Sequence, residues 1–214
     1  MVIHQKSAGK GNAREALLDA MERLLHRYGY QKTTVEDIAA EAGVGKGSVY
    51  LHFASKEELA LSCVDRFHDQ IWSRMEKIAA GKLSAREKVA ALLRERVQRR
   101  YEFCENSASL DEMLAALRRE LMVRREAYHL KEAQFLEAVI LAGVETGEFP
   151  ICDAARSAEA MVLATNAFLP YSLRVNQLGS LREVLAKLSS LTCLLMDGLA
   201  GMRVESPGFE ASPI

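Results

Sequence analysis

One stretch, residues 33–56, restricts the fold of this chain more than any other part of the sequence. It reads TTVEDIAAEAGVGKGSVYLHFASK and predicts two short helices joined by a tight turn. Thr34 and Asp37 have the spacing of a capping box, in which side chains bind free N–H groups at a helix start. Gly43 suits the left-handed conformation that ends this helix. A second helix is expected from about Lys46 to Phe53. Two helices joined by a glycine-containing turn are typical of a helix-turn-helix motif, whose second helix enters the major groove of DNA.

The same stretch resembles the DNA-binding signature of the TetR family of one-component transcriptional regulators. The resemblance covers roughly residues 13–60 without gaps, and it is more specific than a general helix-turn-helix pattern. Gly45 departs from the family pattern, which usually has Ser or Thr there. The matching residues are Thr33, Thr34, Asp37, Ile38, Ala39, Ala42, Gly43, Val44, Lys46, Gly47, Tyr50, His52, Phe53, Ser55, Lys56 and Leu59.

The remainder of the chain predicts helix after helix. Apolar residues recur at helical spacing, capping residues and glycines separate the segments, and no alternating strand pattern is present. We therefore expect an all-α fold of about nine helices. Residues 1–56 would form a three-helix DNA-binding domain, residues 57–202 a helical ligand-sensing and dimerisation domain, and residues 203–214 a disordered tail.

Several helix boundaries follow from local signals. Asn12 is expected to cap a first helix from Ala13 to Tyr28. A helix from Ser55 to Gly81 would be a rod of roughly 36 Å. The apolar face thins near Val123, which favours a helix boundary there. Further capping pairs are Ser84 with Glu87, Ser109 with Glu112 and Ser180 with Glu183.

The final helices are unusually apolar or rich in small residues. Leu191 to Met196 is apolar nearly all round, so this helix is expected to be buried on more than one side. An ordinary core helix and a subunit interface both fit this pattern. We favour the interface, because a single helix-turn-helix gains affinity and register by two-fold pairing on DNA. The resemblance implies the same homodimer, joined through the last two long helices in a four-helix bundle.

DNA binding requires cations and donors for phosphate and side chains for base edges. Lys46 and Ser48 would lie near the start of the recognition helix, and Gly47 would let its backbone approach the duplex. No Arg, Asn or Gln lies between Lys46 and Phe53, so specificity would depend on Lys46, Ser48, apolar contacts and DNA shape. The residues predicted to contact DNA are Thr33, Thr34, Lys46, Gly47, Ser48, Tyr50, His52 and Lys56.

The resemblance also implies a small, lipophilic ligand inside the C-terminal helices that releases the protein from its operator. Aromatic and Met residues of these helices are candidates for the pocket, and Thr165 and Asn166 could orient a ligand. A purely structural core role stays open for each of them, because aromatic residues at helical spacing usually belong to the core. The candidates are Trp72, Tyr101, Phe103, Met113, Leu117, Tyr128, Phe135, Thr165, Asn166 and Phe168.

Composition sets limits on function. The net charge is −1, but residues 1–56 carry eight Lys and Arg against six Asp and Glu, which allows DNA binding there. No signal-peptide or membrane-spanning pattern is present, so we expect a cytoplasmic protein with no membrane partner. The four cysteines are widely spaced and fit free thiols. No catalytic or metal motif is found, so we expect no enzyme activity, metal or cofactor.

Together these features predict a DNA-binding transcriptional regulator, most simply a repressor that binds a palindromic operator as a dimer. Two alternatives stay open. One is a helical ligand-binding or interaction protein whose DNA-reading part no longer functions, and the other is a transcriptional activator.

Overall fold

The computed structural model describes residues 10–105, 112–113, 115–150, 153–169 and 175–201, and within them every regular element is a helix. This confirms the all-α prediction. No helix in these ranges is long and apolar enough to span a membrane. The tail 203–214, Cys152, and the predicted cap at Ser109 lie outside the described residues. The helices are α1 (Lys10–Tyr28), α2 (Val35–Glu41), α3 (Lys46–Tyr50), α4 (Lys56–Ala80), α5 (Ala85–Glu105), α6 (Arg118–Glu145), α7 (Ala154–Thr165), a 3₁₀ turn (Asn166–Phe168), α8 (Val175–Leu178) and α9 (Leu181–Gly201).

The helix starts follow the capping chemistry that the sequence predicts. Thr34 Oγ1 accepts a hydrogen bond from the Asp37 amide at 3.1 Å, and Asp37 Oδ2 accepts one from the Thr34 amide at 3.0 Å. Ser84 and Glu87 form the same reciprocal pair before α5, and Ser180 and Glu183 form it before α9. Each pair satisfies donors that have no partner within the helix.

Two predicted boundaries are wrong. Helix α1 begins at Lys10, so Asn12 lies inside it and not at its start. Helix α6 runs unbroken past Val123. Its apolar face thins there because this part of α6 meets α4 through polar contacts, with Arg124 Nε 3.1 Å from Asp65 Oδ1 and the Tyr128 hydroxyl donating to the same carboxylate.

Helix α4 is shared by two apolar cores. Its first half, Leu59 to Val64, packs with α1, α2 and α3, and Met113 and Leu117 join this N-terminal core from further along the chain. Its second half contributes Ile71 and Met75 to a core formed with α5, α6 and α7. The boundary between the two cores therefore falls inside α4.

Helices α6 and α5 approach closely at Gly143. A Cβ atom at this position would lie 2.4 Å from a ring carbon of Phe149 and 2.7 Å from the Cβ of Ala85. Both distances are far below van der Waals contact, so the residue must be glycine for this packing to form. The buried ring of Phe149 closes the end of the C-terminal core.

Polar contacts fix α4 against α1. The guanidinium of Arg66 lies 3.1 Å from Glu15, 2.7 Å from Asp19 and 2.8 Å from Glu22, which are all on α1. Three carboxylates on one cation stiffen this contact more than a single exposed ion pair could. Rotation of α4 would therefore carry α1 with it.

A charged cluster is buried between α5, α6 and the end of α7. Arg96 and Arg100 on α5 are 0% and 3% exposed, and Glu132 on α6 is 3% exposed. Arg96 Nε donates to Glu132 at 2.7 Å, and Arg100 donates to the other carboxylate oxygen. Arg96 also donates to Thr165 Oγ1 at 2.8 Å and to Asn166 Oδ1, which connects α5 to the end of α7.

Removing the central carboxylate should strongly destabilise the fold. Glu132→Gln leaves two buried guanidinium groups without their carboxylate, and we expect the free energy of unfolding in urea at neutral pH to fall by about 3–5 kcal/mol. Glu126→Gln is the matched control, since Glu126 is exposed on the same helix, and its effect should stay within about 0.5 kcal/mol.

The difference in stability between wild type and Glu132→Gln should depend on pH. Burial opposes ionisation of Glu132, but Arg100 and Arg96 outweigh it and lower the pKa from 4.5 to about 2. A carboxylate with a lowered pKa stabilises the fold above its unfolded pKa and loses that effect as pH falls through its folded pKa. The stability gap between wild type and Glu132→Gln should therefore narrow from pH 4.5 towards pH 2. A gap that stays constant over this range would contradict the ion-pair assignment.

Candidate nucleic-acid interface and ligand cavity

Helices α2 and α3 are held at a fixed angle by a short turn. Gly43 has a φ of +70°, a conformation that side chains rarely adopt, and the Val44 amide donates to the Ala39 carbonyl at 2.9 Å. Val49 and Phe53, each 2% exposed, face inward from the second helix. The α-helix ends at Tyr50, three residues earlier than predicted, although the Phe53 amide still bonds the Val49 carbonyl at 2.9 Å.

The outward face of this segment forms a continuous surface, which we call the reading surface and define as Lys46, Ser48, Tyr50, Leu51 and His52. Tyr50 is 50% exposed and Leu51 is 83% exposed. Lys46 is also exposed, and Ser48 and His52 are half-buried. The structure therefore places four of the predicted DNA-contacting side chains together on one surface.

Leu51 is a residue of this surface that the sequence reasoning did not assign. An apolar side chain with this exposure gains nothing in the free protein, but it suits the methyl group of thymine in a major groove. The sequence did contain a signal that Leu51 is exposed. Val49 and Phe53, four residues apart, form the buried face of this segment, and Leu51 lies halfway between them and therefore on another face.

Lys46 has an ion-pair partner in the free protein. Its ammonium donates to Glu36 on α2, and this hydrogen bond raises the pKa of Lys46 and lowers that of Glu36. Both side chains are more than half exposed, so water and salt screen the pair, and it contributes little to stability. A DNA phosphate could therefore take the place of Glu36 at small cost.

Thr33 and Lys56, which are also predicted to contact DNA, bind backbone carbonyls inside the fold. Thr33 is 1% exposed, and its hydroxyl donates to the Gly29 carbonyl at 2.7 Å. Lys56 Nζ donates to the carbonyls of Tyr30 and Thr33, at 3.1 Å each, and lies 4.3 Å from the centre of the Tyr30 ring. Both residues hold the turn between α1 and α2. Their contacts with phosphate, like the remaining DNA contacts, stay predictions.

The glycines at the start of α3 face open space. A Cβ atom at Gly45 or Gly47 would meet no atom within 4 Å. Packing within the protein therefore does not require glycine at either position. At Gly47 the absence of a side chain exposes the first turn of α3, where free N–H groups can bind phosphate.

A cavity of about 250 Å³ lies between α4 and α6. We call it the α4–α6 cavity. Its inner wall includes the buried carboxylate of Glu132, and its rim includes the exposed residues Asp69 and Lys131. The lining residues are His68, Asp69, Ile71, Trp72, Met75, Ala127, Tyr128, Lys131 and Glu132.

Two of the predicted pocket residues lie at this cavity, and a third contacts one of them. Trp72 and Tyr128 line it, and the ring of Phe135 lies 4.8 Å from that of Trp72. Lys131 Nζ lies 3.8 Å from the Trp72 ring centre, a cation–π contact at the rim.

The other candidates lie elsewhere. Phe103 stacks on Phe67 with ring centres 4.0 Å apart, and Met113 and Leu117 pack in the N-terminal core. Tyr101 donates to the Gly179 carbonyl at 2.6 Å, and Phe168 packs in the same small core near α9. Thr165 and Asn166 accept hydrogen bonds from Arg96. Their ligand contacts stay predictions.

Several known transcriptional regulators are similar to this chain in sequence. A model of the bacterial regulatory proteins of the tetR family matches residues 17–63. The HTH-type transcriptional repressor KstR2 of Rhodococcus jostii is 32% identical over 148 residues, which cover 67% of this chain and 71% of the relative. The fatty acid metabolism regulator protein of Bacillus subtilis is 24% identical over 153 residues, covering 70% and 77%.

Solved structures share the fold. A transcriptional regulator from Cytophaga hutchinsonii matches with a TM-score of 0.72 at 20% identity, covering 87% of this chain and 97% of the other. The regulator FadR from Bacillus subtilis, solved in complex with stearoyl-CoA, matches with a TM-score of 0.61 at 22% identity, covering 86% and 98%.

Adding one methyl group at the start of α3 should separate folding from DNA binding. Gly47→Ala should leave the free energy of unfolding unchanged or raise it by up to about 1 kcal/mol, since Ala is the better helix former. Affinity for duplex DNA should fall by about tenfold, the equivalent of one charge-assisted hydrogen bond. Thermal unfolding and fluorescence anisotropy with labelled duplex DNA measure the two quantities.

Gly45→Ser is the matched control for this variant. It adds a side chain two residues away, also into open space, and Ser is a better helix cap than Gly. It should keep or improve DNA affinity. Equal affinity of Gly47→Ala and wild type would show that the backbone of α3 does not approach the duplex closely.

Proposed function

This chain belongs to the TetR family of bacterial regulatory proteins, and we propose that it is a homodimeric transcriptional repressor that binds an operator and is released by a small ligand. The fold, the helix-turn-helix and the relatives named as transcriptional repressors support the DNA-binding regulator. The proposed site of action is the cytoplasm. The single observation that carries the proposal is the exposed reading surface on a rigidly capped helix pair.

The reading surface determines how an operator would be recognised. Lys46 leaves Glu36 for a phosphate or a guanine edge, and Ser48 can donate to or accept from a base. Tyr50 and Leu51 present apolar surface that suits thymine methyl groups. None of these groups forms a bidentate contact, so DNA shape would supply part of the specificity.

A homodimer would pair two reading surfaces. Helices α7 and α9 carry leucines that this chain leaves in water: Leu163 is 72% exposed and Leu194 is 71% exposed. Ala160 on α7 and Ser190 on α9 are also exposed, and small residues allow close helix approach. A second copy of the chain would bury these faces in a four-helix contact, which supports the dimer as the occupant.

Ligand release would act through α4. This helix forms one wall of the α4–α6 cavity, and Arg66, just before the cavity residues of α4, fixes it to α1. A ligand that binds best when α4 is shifted would favour an arrangement in which the two reading surfaces no longer fit the operator. FadR, solved with stearoyl-CoA, supports ligand binding within this fold.

Operator binding is tested with duplex DNA from the region upstream of the coding sequence, at two salt concentrations. Wild type should bind tightly and salt-sensitively. Lys46→Ala should weaken binding to all sequences and reduce the slope of log affinity against log salt by about 1. Lys77→Ala, at the far end of α4, removes the same charge away from the reading surface and should have no effect. Weak binding that is equal for all DNA sequences and equal for wild type and Lys46→Ala would contradict the proposal.

The dimer is tested with a charge placed in the apolar face. Leu194→Glu puts a carboxylate where α9 would meet its partner, and burying an unpaired charge is costly. Sedimentation equilibrium should give a dimer for wild type and a monomer for this variant. Leu130→Glu makes the same change at a leucine of α6 that is 58% exposed, and it should remain a dimer. A dimeric Leu194→Glu protein would place the interface elsewhere.

A further inference from the structure

The α4–α6 cavity has walls of a particular chemistry. The rings of His68 and Tyr128 are stacked, with centres 3.6 Å apart and planes 17° apart, and Trp72 also lines the cavity. Ile71 and Met75 supply aliphatic surface. Flat aromatic walls favour a flat occupant. The volume of about 250 Å³ is below the roughly 300–1,000 Å³ of most small-molecule pockets, so the occupant must be small.

His68 presents a hydrogen-bond donor at this cavity. Its Nδ1 lies 3.2 Å from Nη2 of Arg100. A guanidinium can only donate, so Nδ1 must accept, and the neutral ring then carries its proton on Nε2. None of the described residues accepts a hydrogen bond from this Nε2. The wall therefore offers an N–H group to an acceptor on a bound molecule.

The electrostatic field behind His68 is positive. Burial, followed by the charge of Arg100, lowers the pKa of His68 to about 3, and burial with Arg96 lowers that of His129 to about 4. Glu132 opposes this effect, but both of its oxygens accept hydrogen bonds from the two arginines. At neutral pH both imidazoles are thus uncharged, and an anionic acceptor at Nε2 would be stabilised by the arginines behind the ring.

We infer that the α4–α6 cavity binds a small planar carboxylate, with its ring between Trp72 and Tyr128 and its carboxylate accepting a hydrogen bond from His68 Nε2. This inference deepens the proposed function, because it assigns the chemical class of the ligand that would release the regulator. A long acyl thioester is a different class of ligand, and a cavity of about 250 Å³ is too small to enclose one.

Binding at this position would act directly on α4. His68 and Trp72 both belong to α4, and Tyr128 on α6 donates to Asp65 of α4. A ring inserted between these helices must displace Tyr128 or shift α4. Either movement strains the contact of Asp65 with Arg124, the next polar contact along the same helix pair.

The fluorescence of Trp72 can report on binding at this site. Trp72 is the single tryptophan of the sequence and lies at the cavity, so its fluorescence responds to an occupant. The probes are benzoate and toluene, which share the ring and differ in the carboxylate, and stearoyl-CoA. The protein is the full chain without DNA, so failure of operator binding cannot affect the result.

We expect saturable quenching of Trp72 by benzoate, with toluene binding about tenfold more weakly because it lacks the charge-assisted hydrogen bond. His68→Phe keeps the stacked ring and removes the N–H group. It should weaken benzoate about tenfold and leave toluene unchanged. His129→Phe is the matched control, since His129 is a second neutral imidazole outside the cavity lining, and it should bind both probes as wild type does.

Several results would overturn the inference. These are the absence of saturable quenching by benzoate, equal affinity for benzoate and toluene, and quenching by stearoyl-CoA alone. Equal weakening of both probes in His68→Phe would assign His68 a purely structural role and also overturn it. Operator release is measured separately by anisotropy with labelled operator. If benzoate binds but does not release DNA, the ligand class stands and the proposed release mechanism fails.

Discussion

Everything in this molecule depends on one continuous helix, α4, being packed into two cores at once. Leu59 to Val64 anchor it among α1, α2 and α3, and Ile71 and Met75 anchor it among α5, α6 and α7. Close-packed interiors resist compression, so a shift at one end must be passed to the other. The ion pairs of Arg66 and Asp65 on the same helix reduce the ways in which it can move.

The two ends of α4 pack against surroundings of different chemistry. At the N-terminal end the core is apolar, and the reading surface lies outside it, where Tyr50 and Leu51 are left exposed. At the other end a charged cluster is buried, with Arg96 and Glu132 almost inaccessible to water. Burying charge is costly unless every group is bonded, and the bonded network then fixes the positions of its members. His68 is held in one tautomer by this network.

Much of the fold could be predicted from the sequence, because helix capping is local chemistry. The pairs Thr34 with Asp37, Ser84 with Glu87 and Ser180 with Glu183 each act over three residues, and these three capping predictions are confirmed. Prediction failed at Asn12, which lies inside α1, and near Val123, where α6 continues because it packs on α4 through polar contacts. Four of the residues predicted to contact DNA lie on the reading surface, and Leu51 was not assigned to it; their DNA contacts stay predictions.

The sequence by itself determined the order of the long helices, the turn at Gly43 and the helix pair on either side of it, since all of these depend on residues a few positions apart. Only the tertiary structure decided which polar side chains form hydrogen bonds inside the protein. Thr33 and Lys56 bond carbonyls of the turn before α2, and Arg96 meets a carboxylate 36 residues away. It also divided the aromatic candidates among three places and brought Trp72 and Tyr128 to one cavity. Pairing between distant residues follows from how helices pack in space, and the spacing of residues along one helix does not contain that information.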